Sequence, residues 1–276
     1  EAALLQTVSY SSLKELERCG YRYYLERVLG MEERRTDRGS RGEGRRGGLD
    51  ALSRGSLIHR VLELHDFSGG QGPTVQAVEQ AARGLGLHPG AGEVGEVAGL
   101  LAAALREAPA RRIAAAAEVW REHPFSYPAG GELPLLTGVI DVLAREHDGG
   151  WVVVDYKSDP VGEEDDLEAL VARDYALQRE LYALAVLRAG GQSVEVQHWF
   201  LARPHEWAAA HFEASERESL QASLQERLRV ALAAGFTVSP RPHRGLCATC
   251  PGRARLCSWP DSATMSEQAG AAAGGG

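Results

Sequence analysis

No stretch of this 276-residue chain is apolar for long enough to span a bilayer. Its first residues, EAALLQTVSY, lack the charged start and apolar middle of a secretion signal. These absences argue against a membrane helix or an export leader and leave the cytoplasm as the expected location. There is no initiator methionine, which suggests a piece cut from a longer protein. There is no internal repeat, and no GxxxxGK[ST] loop, so the chain carries no ATP motor of that type. Cysteine is scarce: four residues, with no sign of secretion, should bind metal or remain thiols. The net charge of −8 argues against a nucleic-acid coat. Positive charge is nevertheless concentrated, with eight Arg against three acids between Arg34 and Arg60, and four Arg with no acid between Thr237 and Ser258. Such patches serve either as phosphate footprints or as solvated loops.

The stretch from Ser9 to Gly30 reads as helix, with Ser11 or Ser12 as cap and Glu15 in its first turn. Residues 39–54 are rich in Gly and Arg and are expected to form a mobile loop. A second helix follows, with Leu57, Val61 and Leu64 on one face. Residues 69–117, mostly Ala, Gly, Leu and Glu, read as a helical insertion broken by glycines. The character then changes: LPLLTGVIDVLAREHDGGWVVVDYKS is two β runs joined by His-Asp-Gly-Gly, a hairpin. Next come a helix (DLEALVARDYALQRELYALAVLRAGG), a strand (SVEVQHWFLAR) that pairs with EWAAAHFEAS, and an amphipathic helix (ERESLQASLQERLRVALAAGF). One α/β domain over residues 1–260 is expected, and residues 261–276 read as a disordered tail.

The run WVVVDYKSDP drives a buried strand into charge. In a strand, Val153, Asp155 and Lys157 face one way and Val152, Val154 and Tyr156 the other. A lone Asp-x-Lys means little, but three features accompany it. Asp141 lies in the preceding strand, in GVIDVL; His59 and Glu63 share a helix face at i and i+4; Gln178 and Tyr182 do the same on another helix. Two carboxylates and an imidazole can hold a divalent cation with open positions. Lys157 adds a point charge for an attacking water or for charge developing on phosphorus. Glu63 is either a partner of His59 or a solvated helix residue. If both carboxylates serve one cation, Asp141 and Asp155 must share a face of the hairpin. That requires an odd loop, most simply His147-Asp148-Gly149 with a glycine at positive φ.

The ordered set G-x3-H-x3-E, G-V-I-D, D-Y-K and Q-x3-Y resembles the RecB-like nucleases of the PD-(D/E)XK superfamily, over nearly the whole chain. The resemblance implies a mixed central sheet flanked by helices. It implies Mg²⁺ or Mn²⁺ held by His59, Asp141, Asp155 and the backbone carbonyl of Tyr156, with Lys157 catalytic and Gln178 and Tyr182 as a supporting pair. The cysteines form C-x2-C-x6-C (Cys247, Cys250, Cys257) with Cys19 alone near the other end. Four thiolates suit a [4Fe–4S] cluster, and a Cys₄ zinc site or unligated thiols are the alternatives. The distribution is similar to that of iron–sulfur RecB-like nucleases in AddAB and AdnAB helicase–nucleases and in CRISPR adaptation, and implies a cluster joining the chain ends. The expected function is metal-dependent cleavage of DNA, single-stranded and exonucleolytic, as the nuclease module of a helicase–nuclease in double-strand break repair, with the motor in cis or in trans. The alternatives are a non-catalytic DNA-binding or structural module and a stand-alone CRISPR-adaptation-type exonuclease.

Overall fold

The computed structural model describes residues 5–34 and 48–267. Most of the expected Gly/Arg loop and residues 268–276 of the expected tail lie outside the described residues. Two compact units share the chain, each built from non-consecutive segments: residues 5–34, 128–137 and 222–267 in the first, 48–127 and 138–221 in the second. Among the described residues no helix is long and apolar enough to cross a membrane.

The second unit is a mixed sheet covered by helices. Strand β2 (Glu118–Pro128) pairs with β3 (Leu135–Arg145), and β3 pairs antiparallel with β4 (Trp151–Lys157). β4 pairs parallel with β5 (Ser193–Phe200), which pairs antiparallel with β6 (Trp207–Glu213). Because β4 is covered on both faces, it reads as an unbroken valine run rather than an alternation. Val152 and Val154 pack into one apolar cluster and Val153 into another. The first cluster holds helices α3 (Ala51–Leu64), α4 (Val75–Gly84), α5 (Ala91–Ala104) and α6 (Ala108–Ala114), so residues 69–117 cover one face of the sheet. The second is closed by α8 (Ala176–Arg188), which follows α7 (Leu167–Asp174) after a break at Tyr175. α3 starts at Asp50, whose side chain accepts from Ser53 N at 2.7 Å. Its buried stripe is Leu57, Ile58, Val61 and Leu62, while Leu64 is 58% exposed. The stripe is centred one residue away from the expected one, and Leu64 falls in the last turn beyond it.

The hairpin has the odd register. Val142 opposes Val154 and Arg145 opposes Trp151, so the same register sets Asp141 against Asp155. Glu146 N donates to Gly150 O at 2.8 Å, closing a loop of His147, Asp148 and Gly149, with Gly149 at φ 93°. Regular alternation stops at the charged end. Ile140 packs on the same side as Leu143, and the paired ladder ends at Val142.

In the first unit, β1 (Thr7–Ser9) pairs parallel with Leu135–Thr137. It leads into α1 (Tyr10–Arg18), capped by Ser9 rather than by Ser11 or Ser12, with Ser12 reciprocating through its hydroxyl. After Cys19 come α2 (Gly20–Tyr23) and a π-type turn, Tyr24–Val28. The C-terminal part supplies α9 (Arg217–Ala234), α10 (Arg244–Cys247) and α11 (Asp261–Thr264). Hydrogen bonds tie the two ends together: Tyr21 N to Thr237 O at 2.8 Å, Arg34 N to Thr249 O at 2.7 Å and Arg22 Nη1 to Leu246 O at 2.5 Å. β1 and β2 were not foreseen, since three residues show no period and Pro124 interrupts the strand pattern.

Gly149→Val forces a β-branched residue to positive φ, and should cost about 1–3 kcal/mol. A thermal melt should show this as a fall of several degrees. An unchanged melt would mean that the turn can be rebuilt without that backbone geometry.

Candidate active site

β4 carries Asp155 and Lys157 to the end of the sheet beneath α8, where Asp155 is 2% exposed. An ionised group so deep needs partners on every lone pair. Lys157 Nζ lies 2.5 Å from Asp155 Oδ2 and donates to Gln178 Oε1 at 2.8 Å. Gln178 Nε2 donates to Asp155 Oδ1 at 2.8 Å and to the Tyr182 hydroxyl at 2.9 Å. Tyr182 in turn donates to the Val139 carbonyl at 2.9 Å. The i, i+4 spacing on α8 thus places an amide and a phenol against one carboxylate. One atom is left over. Asp155 Oδ2 is buried without a hydrogen-bond partner, because Lys157 meets it at ion-pair distance but outside hydrogen-bond geometry. Lys157 Nζ also lies 4.2 Å from the centroid of the Tyr175 ring.

A second group lies on the neighbouring strands. Asp141 Oδ2 accepts from Tyr156 N at 2.8 Å, which replaces a ladder bond where the β3–β4 pairing ends. Its Oδ1 is 3.5 Å from His59 Nδ1 on α3. Ligand atoms of His59, Asp141 and Glu122 lie within 4.8 Å of one another, and this is the one such cluster among the described residues. Sequence reasoning missed Glu122. Its strand was not recognised, and its backbone sits at φ 47°, which breaks the alternation that would have marked its face. Glu63 points elsewhere and pairs with Arg60 at 2.6 Å.

Burial, and then the Asp155 charge, push the Asp141 carboxyl above the usual carboxylate range. Burial and Asp141 do the same to Glu122. Burial alone would lower His59, but the hydrogen bond and charge of Asp141 outweigh it and the imidazole is raised. The cluster therefore binds protons more readily than the free side chains would, and a cation could take their place. Across the β4–β5 ladder from Asp155, His198 is fully buried with neither ring nitrogen bonded. Burial pushes it down to about 4, so it is neutral.

The expected site residues thus fall into two neighbouring groups: Asp155, Lys157, Gln178 and Tyr182 in one, and His59 and Asp141 with Glu122 in the other. In the first unit the four cysteines line one cavity of about 20 Å³, with Trp259 beside them.

The family model described as the PD-(D/E)XK nuclease superfamily matches residues 7–257. The chain belongs to that superfamily. It is 31% identical over 176 residues to an ATP-dependent helicase/nuclease subunit of Pelotomaculum thermopropionicum, covering 57% of this chain and 13% of that protein. The corresponding helicase/nuclease subunit of Carboxydothermus hydrogenoformans is 32% identical over 168 residues, covering 55% and 14%. This nuclease-family chain therefore spans only about a seventh of these relatives. A crystal structure of a candidate exonuclease from Eubacterium rectale shares the fold, with a TM-score of 0.53 and 13% identity over 92% of this chain and 90% of that one.

Asp141, Glu122 and His59 all have raised values in the fold, so their contribution to stability is complete at low pH and fades as pH rises through those values. In metal-free protein, Asp141→Asn keeps an acceptor for Tyr156 N and removes the titrating group. Melts between about pH 5 and about pH 8 should show the wild type losing more stability than the variant. Parallel pH profiles would show that Asp141 is not buried in this state.

Proposed function

We propose that this chain is a metal-dependent deoxyribonuclease that hydrolyses phosphodiesters of single-stranded DNA exonucleolytically. In this reading it works as the nuclease module of a helicase–nuclease that processes double-strand breaks, with the motor in the same polypeptide or in a partner. The observation that carries the reading is the Asp155 oxygen that no hydrogen bond satisfies, ion-paired with Lys157 and next to the His59–Glu122–Asp141 cluster. A buried carboxylate oxygen that accepts no hydrogen bond has lone pairs able to ligate a cation. The donors fit Mg²⁺ or Mn²⁺: carboxylates, an imidazole and, at Tyr156, a backbone carbonyl. Asp141, Asp155 and His59 would hold the ion, with Glu122 as a further carboxylate. When bound, such a cation supplies Lewis acidity at a phosphoryl oxygen.

The chain's own groups do the rest. Lys157, fixed by Asp155 and Gln178, presents a cation that can donate to a phosphate oxygen or orient an attacking water. Tyr182 anchors Gln178 to the carbonyl of Val139, so the amide cannot turn away from Asp155. The helicase partner is supported by the names of the relatives, in which the matched stretch is a small share of the length.

For the cysteines we favour a [4Fe–4S] cluster on Cys19, Cys247, Cys250 and Cys257, with zinc as the alternative. All four border one small cavity, and burial raises the Cys247 and Cys250 thiols, so thiolates there need a bound cation.

In a cleavage assay with Mg²⁺ or Mn²⁺ on a single-stranded oligonucleotide, Asp155→Ala, Asp141→Ala and Lys157→Ala should each lose about 100-fold or more in rate. Glu122→Gln should raise the metal concentration needed for half-maximal rate. Wild-type cleavage by Asp155→Ala would place the chemistry elsewhere. Anaerobically purified protein should be brown and contain iron, and Cys250→Ser should be colourless with a lower melting temperature. Stoichiometric zinc without iron would replace the cluster with a zinc site.

A further inference from the structure

We propose that a groove beside the catalytic residues binds unpaired nucleobases of the strand being cut, an inference that rests on the nuclease reading above. The groove measures about 420 Å³ and lies within the second unit, between β2, β3 and α8. His123, Phe125 and Trp151 supply partly exposed rings, with Tyr127 buried behind Phe125 and under Arg188; Arg188 supplies a positive charge, and no acid lines the groove.

The groove continues the face of α8 that builds the site. Gln178, Tyr182, Ala185 and Ala189 follow one another at helical spacing, and the two alanines leave open the space that longer side chains would fill. Phe125 packs edge-on against Tyr182 with ring centroids 6.0 Å apart, and the Tyr182 hydroxyl is 3.3 Å from Asp155 Oδ1. The first ring of the groove is therefore one side chain from Asp155. Glu122 lies on the same strand three residues before Phe125. Trp151 forms the far wall, stacked on Trp120 at 5.7 Å.

The chemistry selects the occupant. An unpaired base offers a flat π face that stacks on Phe, Tyr or Trp regardless of sequence, and its phosphate needs a cation. Arg188 bonds the neutral Gln221 and lies over the Tyr127 ring at 5.4 Å, and both of these partners are uncharged. Its charge is available to a phosphate. Bases inside a duplex are stacked on each other and present no free face, so the groove discriminates for single strands. A partner helix would need neither the ring faces nor the cation.

The test compares a thymidine oligonucleotide with an abasic oligonucleotide of the same length, with metal chelated to prevent cutting. Tryptophan fluorescence and anisotropy report binding by the purified chain. The thymidine strand should quench fluorescence and bind about tenfold or more tightly than the abasic strand. Trp151→Phe should lose part of the quench and keep the affinity, whereas Trp151→Leu should lose both. Ala185→Leu fills the groove without removing any core side chain, and should abolish the preference for bases even if Trp151→Leu fails to fold. Equal binding of both strands by a wild-type protein that cleaves the thymidine strand in Mg²⁺ or Mn²⁺ would overturn the groove and leave the nuclease reading standing. Wild-type affinity and preference in Ala185→Leu would also overturn it, giving the groove to a protein segment. A wild type that cuts no DNA with either metal would remove the nuclease reading, and the groove assignment with it.

Discussion

An ionised carboxylate at the end of a strand buried on both faces is the constraint on which the second unit depends. Asp155 can stay there only because the groups around it supply charge and donors at fixed distances: Lys157 at 2.5 Å and Gln178 at 2.8 Å. Removing one partner of such a set leaves a charge without compensation, which costs more than the set contributes when whole. That asymmetry explains why α8 carries two polar side chains on its inner side. Gln178 and Tyr182 are buried among Leu177, Leu181 and Leu184, positions where an apolar residue would pack without penalty. They are there because Asp155 is.

The neighbouring cluster shows the opposite balance. Asp141, Glu122 and His59 lie close together without enough donors; burial and then the Asp155 charge raise Asp141, and burial and then Asp141 raise Glu122. One group of side chains is satisfied from within the chain except for one Asp155 oxygen, which Lys157 meets as an ion pair only. The other is stabilised by protons, or by a cation that takes their place. A hydrolytic site uses both kinds: a rigid cation such as Lys157 that is held in advance, and ligands that exchange protons for a metal ion. The backbone contributes to this arrangement. Asp141 takes the N–H of Tyr156 in place of a strand neighbour, which ends the β3–β4 ladder where the site opens.

In the first unit the N-terminal and C-terminal segments bring four cysteines around one small cavity, and hydrogen bonds also join the two segments. Tyr21, Arg22 and Arg34 reach the C-terminal segment through backbone carbonyls, and Arg27 pairs with Glu15 within the N-terminal segment. Part of the closure entropy of so long a loop is therefore offset without metal. Any group bound to Cys19, Cys247, Cys250 and Cys257 adds to an interface that already exists.

By itself the sequence determined the elements whose pattern is strong and local. The valine run of β4, the glycine turn with its odd register, the i, i+4 pair on α8 and the ordered His59, Asp141, Asp155 and Lys157 could all be read because period, turn chemistry and motif spacing are properties of neighbouring residues. Tertiary structure decided what depends on distant contacts. Glu122 joins His59 and Asp141 through a kinked strand interrupted by Pro124, which no periodicity marks. Residues 69–117 look like an insertion in the sequence, yet they cover a face of the sheet because Val78, Val97 and Leu101 have only Val152, Val154 and their neighbours to bury against. Which oxygen of Asp155 is left without a hydrogen bond, and which face of α8 opens into a groove, follow from packing. Packing is settled only when residues far apart in the chain compete for the same volume.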